Sequence, residues 1–260
     1  MTAREAEIIE LIRKEVKPAL GCTEPIAVAL AVAKAMEIIE DKCCPAGPGW
    51  RFGKGYSLNI EVSGNILKNG MGVGIPGTGM VGLHIAAALG AVCGKSSYGL
   101  EVLHDLDAQA IACAKEMVEE KLVTVGLADT DHKLFVKASV TLMGKHSASA
   151  VIEDDHDRIV ETSYDESVLT SSHGAQAQEP TDQKTTLDYR LTVKEIVEFA
   201  RTVPYDEIMF ILESRTLNLA LAEEGLNGCY GLRVGKSICN SSNKEVFGGD
   251  FLSYAMSLTA

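Results

Sequence analysis

The sequence has no cluster of lysine and arginine. Its 24 basic residues are outnumbered by 36 acidic ones, giving a formal net charge of −12. No basic stripe could track a phosphate backbone, which argues against nucleic-acid binding. The acidity serves solubility and says little about fold. A long hydrophobic run is also missing. The longest, Ile26 to Ala33, stops at Lys34 and falls short of the ~20 residues that a membrane helix needs. The N-terminus, MTAREAEIIELIRKEV, carries acids early and has no apolar signal core. A cytoplasmic location is therefore expected, where thiols stay reduced and a functional cysteine is a metal ligand or nucleophile before it is half of a disulfide. Also missing are a C-x-x-C pair, histidines at ligand spacing, a G-x-S-x-G elbow and a lysine at the Walker-A position. Local spacing thus offers no zinc site, no serine-hydrolase nucleophile and no P-loop.

What is present reads as an ordinary folded chain, 46% hydrophobic and 23% charged over 260 residues, enough for one large or two small domains. Ile8, Ile9, Ile12, Val16 and Leu20 recur at helical spacing from Ala3 to Leu20, and Pro18 and Gly21 end that helix. Thr23 is the expected N-cap of a second helix running to about Asp41, apolar nearly all round and so central. YSLNIEV alternates as a strand from Tyr56 to Val62. A glycine-rich stretch follows and leads into an apolar helix expected over Met80–Val92, then an amphipathic one over Asp107–Glu120. KLVTVGL, LFVKASVTLMG, SASAVIED and RIVETSY then read as a meander of short strands. The expected class is α+β: helical N- and C-terminal segments around a small sheet of mostly antiparallel strands. Four segments are expected: a helical one over 1–55, an α+β domain over 56–166, a flexible linker over 167–186 and a helical one over 187–260. The linker reading rests on SVLTSSHGAQAQEPTDQKTT (Ser167–Thr186), which has almost no apolar residues. Two strong helical patterns follow it, the second closed by Gly225. The final DFLSYAMSLTA ends on an apolar face without a cap, which reads as a truncated chain.

The stretch ALGCTEPIAVALAVAKAM (Ala19–Met36) places one of seven cysteines, Cys22, at the mouth of an apolar helix. Backbone N–H groups are unpaired at such a mouth and favour a thiolate. Either the turn merely contains sulfur, or the sulfur binds or reacts. Glu24 beside it could serve as acid or base, although the helix dipole favours a first-turn glutamate anyway. Cys43 and Cys44 are adjacent, and neighbouring cysteines rarely point at one metal. Cys93 and Cys113 read as core, and Cys229 and Cys239 match no cluster spacing. His146 and His156 fall at strand edges and His173 in the linker, each read as solvated. Gly77, Gly79 and Gly82 fit G-x-G-x-x-G, but Val73 and Ile75 followed by a proline do not make the strand that a dinucleotide fingerprint requires. Two readings of this loop stand side by side. One is a turn that needs glycine; the other is an anion site in which the Pro76–Gly79 backbone and the following helix hold a small carboxylate. Asn65, Lys68 and Asn69 just upstream would add amides and a cation.

GCTEPIAVA (Gly21–Ala29), GNILKNGMGVGIPGTGMVGLHIAAALGA (Gly64–Ala91), GLEVL (Gly99–Leu103) and LAEEGL (Leu221–Leu226) together resemble the L-cysteine desulfidase family. That family is related to the iron–sulfur L-serine dehydratase alpha chain. The resemblance runs from about residue 4 to the end. It implies a lyase of amino-acid catabolism that performs α,β-elimination on a small L-amino acid. Cysteine would give pyruvate, ammonia and hydrogen sulfide; serine would give pyruvate and ammonia. It also implies a [4Fe–4S] cluster held by three cysteines, with an open iron acting as Lewis acid. Cys22 falls on one of those ligands. The family's other ligands lie in a part beyond Ala260, so the cluster is expected to be absent from this chain and the chain inactive alone. Within this reading Glu24 and Lys68 are the catalytic candidates. Thr23, Asn65, Asn69, Gly77, Thr78 and Gly79 are the substrate-binding ones. The partners implied are a small L-amino acid and, for the assembly, a homo-oligomer. The alternative is a non-catalytic module that binds or senses an amino acid or carboxylate.

Overall fold

A computed structural model of the chain describes residues 2–18, 21–43, 51, 55–75, 77–172, 190–229, 233–241 and 249–259. In chain order the first elements are α1 (Ala3–Glu15), α2 (Thr23–Cys43), β1 (Tyr56–Val62), α3 (Gly64–Gly70), β2 (Gly74–Ile75), β3 (Met80–Val81), α4 (Leu83–Cys93) and α5 (Ala108–Glu119). Five strands follow: β4 (Val123–Leu127), β5 (Phe135–Leu142), β6 (His146–Glu153), β7 (Ile159–Tyr164) and β8 (Ser167–Ser171). The last elements are α6 (Val193–Thr202), α7 (Tyr205–Ile208), α8 (Leu212–Asn227), α9 (Val234–Cys239) and α10 (Asp250–Thr259). The chain is α+β, as the sequence indicates. It divides into two compact units, one of residues 18–180 and one of residues 1–17 with 181–260.

The unit of residues 18–180 is built on a six-stranded sheet in the order β4-β1-β5-β6-β7-β8. Only the β1–β4 pair is parallel; β1–β5, β5–β6, β6–β7 and β7–β8 are antiparallel. Alternation in β1 sends Tyr56, Leu58, Ile60 and Val62 into the core and leaves Ser57 and Asn59 exposed, the period of a strand with one covered face. The covering layer is α2 with α4. Every residue of α2 from Pro25 to Ala33 is buried, as are Ala35, Met36, Ile38 and Ile39. A helix apolar nearly all round is covered on most of its sides. The alanines let α4 come close. A Cβ built on Gly90 would sit 2.4 Å from the Ala29 carbonyl oxygen and 2.8 Å from its Cα, so only glycine fits that crossing.

The unit of residues 1–17 and 181–260 is helical. Both α1 and α6 begin with capping boxes, Thr2 with Glu5 and Thr192 with Glu195. Arg4 bridges them, donating to Glu195 Oε1 at 3.2 Å and to the Arg190 carbonyl at 3.0 Å. The Arg13 guanidinium lies 4.0 Å over the Phe210 ring. Yet α6, α7 and α8 contain no buried residue.

Several expectations need correction. Thr23 is the first helical residue of α2 rather than a cap outside it. The segment boundary at 55 is not one in the fold, because α2 packs in one unit with the sheet while residues 1–17 group with the C-terminal helices. The low-apolar segment from Ser167 opens with strand β8, which pairs with β7; its remainder over 173–186 lies outside the described residues. Gly225 does not close its helix, since α8 continues to Asn227. The apolar helix of the glycine-rich stretch starts at Leu83, not Met80, because Met80 and Val81 pair with Ile75 and Gly74 as a hairpin.

Candidate functional site

At the mouth of α2 the Cys22 thiol donates to Glu24 Oε2 at 2.8 Å. The other carboxylate oxygen, Oε1, accepts from Asn69 Nδ2 at 3.1 Å. Glu24 thus joins the GCTEP turn to the first part of the glycine-rich stretch, which the sequence leaves 45 residues apart. The amide comes from α3, a helix not foreseen there. On α3, Asn65, Lys68 and Asn69 are spaced i, i+3 and i+4 and share a face; all three are exposed. Lys68 and Asn65 thus lie on the face of α3 that carries Asn69, whose amide reaches Glu24.

The electrostatics run against one expectation. The hydrogen bond from Cys22, and then that from Asn69 and the charge of His156, hold the Glu24 carboxyl below its usual range against partial burial. For Cys22, burial comes first and the Glu24 hydrogen bond second, and both push the thiol up from its ordinary value. The helix mouth therefore carries a neutral thiol donating to a carboxylate, not the thiolate that free N–H groups suggest. The anion is Glu24. His156, half-buried in the β6–β7 turn, is the group that sequence reasoning missed. Its turn, EDDHDR, gives no sign that the sheet end reaches the α2 mouth.

The loop expected to cradle an anion is built differently. Gly77 and Gly79 adopt positive φ, +76° and +67°, the conformations that make glycine necessary there. Thr78 is buried, and its hydroxyl is used within the turn: it donates to the Ile75 carbonyl at 2.7 Å and accepts from the Met80 N–H at 3.0 Å. The Thr78 N–H donates to Ile75 O and the Gly82 N–H to Val73 O. Three of the N–H groups meant for a ligand are therefore satisfied by the β2–β3 hairpin itself. Gly77 faces Ile111 and Leu106, with a built Cβ 3.3 Å and 4.0 Å from their side chains. The turn that needs glycine accounts for Gly77 and Gly79, and the Thr78 hydroxyl and N–H are spent within it.

Among the described residues no three or more His, Cys, Asp or Glu side chains are arranged to hold a metal. Cys22 contributes one thiol, already engaged with a carboxylate. This donor set does not fit a cluster held by three thiolates. Among the described residues no helix is long and apolar enough to cross a membrane.

The chain is similar to proteins named "UPF0597 protein" in several bacteria. It is 40% identical over 261 residues to one from Parabacteroides distasonis, covering 100% of this chain and 57% of that protein. It is 42% identical over 255 residues to one from Bacteroides thetaiotaomicron, covering 98% and 56%. It is 38% identical over 252 residues to one from Shewanella pealeana, covering 97% and 56%. The chain thus spans a little over half the length of the curated relatives it matches. No family model matches it, and no solved structure matches it.

Proposed function

We propose that this chain carries the amino-acid-binding part of an α,β-elimination lyase acting on L-cysteine or L-serine. The observation that supports this most is the Cys22–Glu24–Asn69 constellation, in which one carboxylate draws together two of the four motifs that carry the desulfidase resemblance. A charged carboxylate accepting from neighbouring donors is suited to an α-ammonium group. Exposed Lys68, on the same helix face as Asn69, is suited to the substrate carboxylate. Holding both ends of a small amino acid fixes the Cα–H and Cβ–leaving-group bonds, and such positioning is worth several kcal/mol in an elimination. Glu24 holds its charge to low pH, so it serves better as the ammonium's partner than as the group that removes the α-proton. No step is assigned to an iron–sulfur cluster, whose ligands the described residues do not supply.

The same electrostatics favour a second reading, a module that binds the amino acid without turning it over. A neutral thiol and a firmly ionised carboxylate make a recognition pair but supply no base. Calorimetric titration of the chain with L-cysteine and L-serine, alongside pyruvate release from each by a full-length relative such as the Bacteroides thetaiotaomicron protein, separates the two. Binding with pyruvate release supports the lyase, and binding without it supports the module. Failure to bind either amino acid overturns both. Replacing Glu24→Gln should weaken binding by roughly 10–100-fold, the worth of a hydrogen bond to a charged group.

A further inference from the structure

The helical unit of residues 1–17 and 181–260 turns large apolar side chains outward and small polar ones inward. On α10 the buried residues are Ser253 and Ser257, 1% and 3% exposed, while Phe251 and Tyr254 are 85% and 55% exposed. Ser253 and Ser257, four residues apart, share one face of the helix, and α10 packs on α9 and α8. Phe251 and Tyr254, three residues apart, share a different face. On α6, Val193, Ile196 and Val197 recur at i, i+3 and i+4, the stripe of an amphipathic helix, and none of them is buried.

The pattern on α8 goes further. At 3.6 residues per turn Leu217 and Leu221 point away from Leu212 and Leu219, and all four are exposed. A helix with apolar side chains on opposite sides buries them only between two neighbours. An open groove of about 450 Å³ is lined by Leu212, Arg215, Thr216, Leu219, Ala220 and Glu223. All six belong to α8, so among the described residues no second element walls it. Single exposed apolar residues need no explanation, but apolar faces on three helices of one unit mark an interaction surface.

The comparison of lengths supplies the occupant. This chain matches the Parabacteroides distasonis and Bacteroides thetaiotaomicron proteins over 100% and 98% of itself, but over only 57% and 56% of them. Nearly half of each relative therefore has no counterpart here, while nearly all of this chain has a counterpart there. We propose that the exposed faces of α6, α8 and α10 are the docking surface for that unmatched part of the longer proteins. The segment that docks presents apolar side chains, because the surface offers leucines, valines and the Phe251 and Tyr254 rings. Arg215 and Glu223, charges of opposite sign on the α8 groove, set its direction. Such a contact resembles a domain core cut in half, the character of a permanent interface. The docking holds whichever reaction the α2 mouth serves.

The test compares amide exchange in this chain and in the full-length Bacteroides thetaiotaomicron relative. In this chain α6, α8 and α10 should exchange fast, and light scattering should give a monomer. In the full-length relative the aligned helices should exchange slower by roughly tenfold or more. A photo-cross-linking residue at the relative's position aligned with Leu221 should join to its unmatched part. Leu221→Glu should leave the melting temperature of this chain nearly unchanged, since that side chain is 70% exposed. The aligned substitution should lower the melting temperature of the full-length relative by several degrees. Equal exchange of the aligned helices in the two proteins overturns the proposal, as does an equal effect of the substitution on both. So does a cross-link confined to the matched part, or a dimer of this chain in which α8 is already protected, which would make a second copy the occupant.

Discussion

Glu24 accepts from a thiol and an amide at once, and its single charge governs how both behave. With the anion removed, Glu24→Gln should lower the pH midpoint for alkylation of Cys22, while leaving it above the ordinary thiol value because burial remains the larger cause. Cysteine-resolved labelling across alkaline pH checks this, and a midpoint that stays put would mean burial alone sets it. The same carboxylate links stability to pH. Its folded-state value lies below its ordinary 4.5, so its contribution is fully present above that value and is lost as pH falls through the lower folded one. Glu24→Gln should therefore cost stability near pH 7 and much less near pH 3 by denaturant titration. Partial exposure keeps the difference to about 1 kcal/mol or less. Cys22, Glu24 and Asn69 were all visible as candidates in the sequence. His156 and the neutral state of Cys22 were not, since both depend on which turn the sheet brings to the α2 mouth.

Among the elements, the α2–α4 crossing leaves no room for a Cβ at Gly90. Gly90→Ala places a methyl carbon against the backbone of Ala29, which no side-chain rotation can relieve. Overpacking of this kind costs about 1–3 kcal/mol, occasionally more, and a fall in melting temperature of several degrees is the expected readout. The helices of the other unit offer the opposite case. Val193, Ile196 and Val197 give α6 an apolar face, yet they are 78%, 50% and 42% exposed. Isolated helices of this length are marginal in water without a packed face. Amides of α6 and α8 should therefore exchange with deuterium much faster than those of α2, most of whose residues are buried. Equal protection in the two sets would show that these faces are covered in solution. Strand β1 could be read from alternation, and β5–β7 as short strands between tight connections. The β2–β3 hairpin could not, because two-residue strands carry no period and the glycines and proline of that stretch suit a ligand loop as well as a turn.

For the whole molecule, composition and patterning determine a good deal. They fix an α+β chain with a central helix apolar nearly all round, a run of mostly antiparallel strands and no apolar run as long as a membrane helix needs. They do so because burial period and turn chemistry are local properties, written within ten or twenty residues. They also mark Cys22, Glu24 and the Asn65–Asn69 group as candidates, because unusual residues at a helix mouth are visible one by one. Only the tertiary structure decides that Glu24 meets Asn69 and that the Cys43 sulfur lies against the Tyr164 hydroxyl. Each of these is a meeting of side chains from separate elements. Sheet order and helix crossing set such meetings, and no local pattern encodes them.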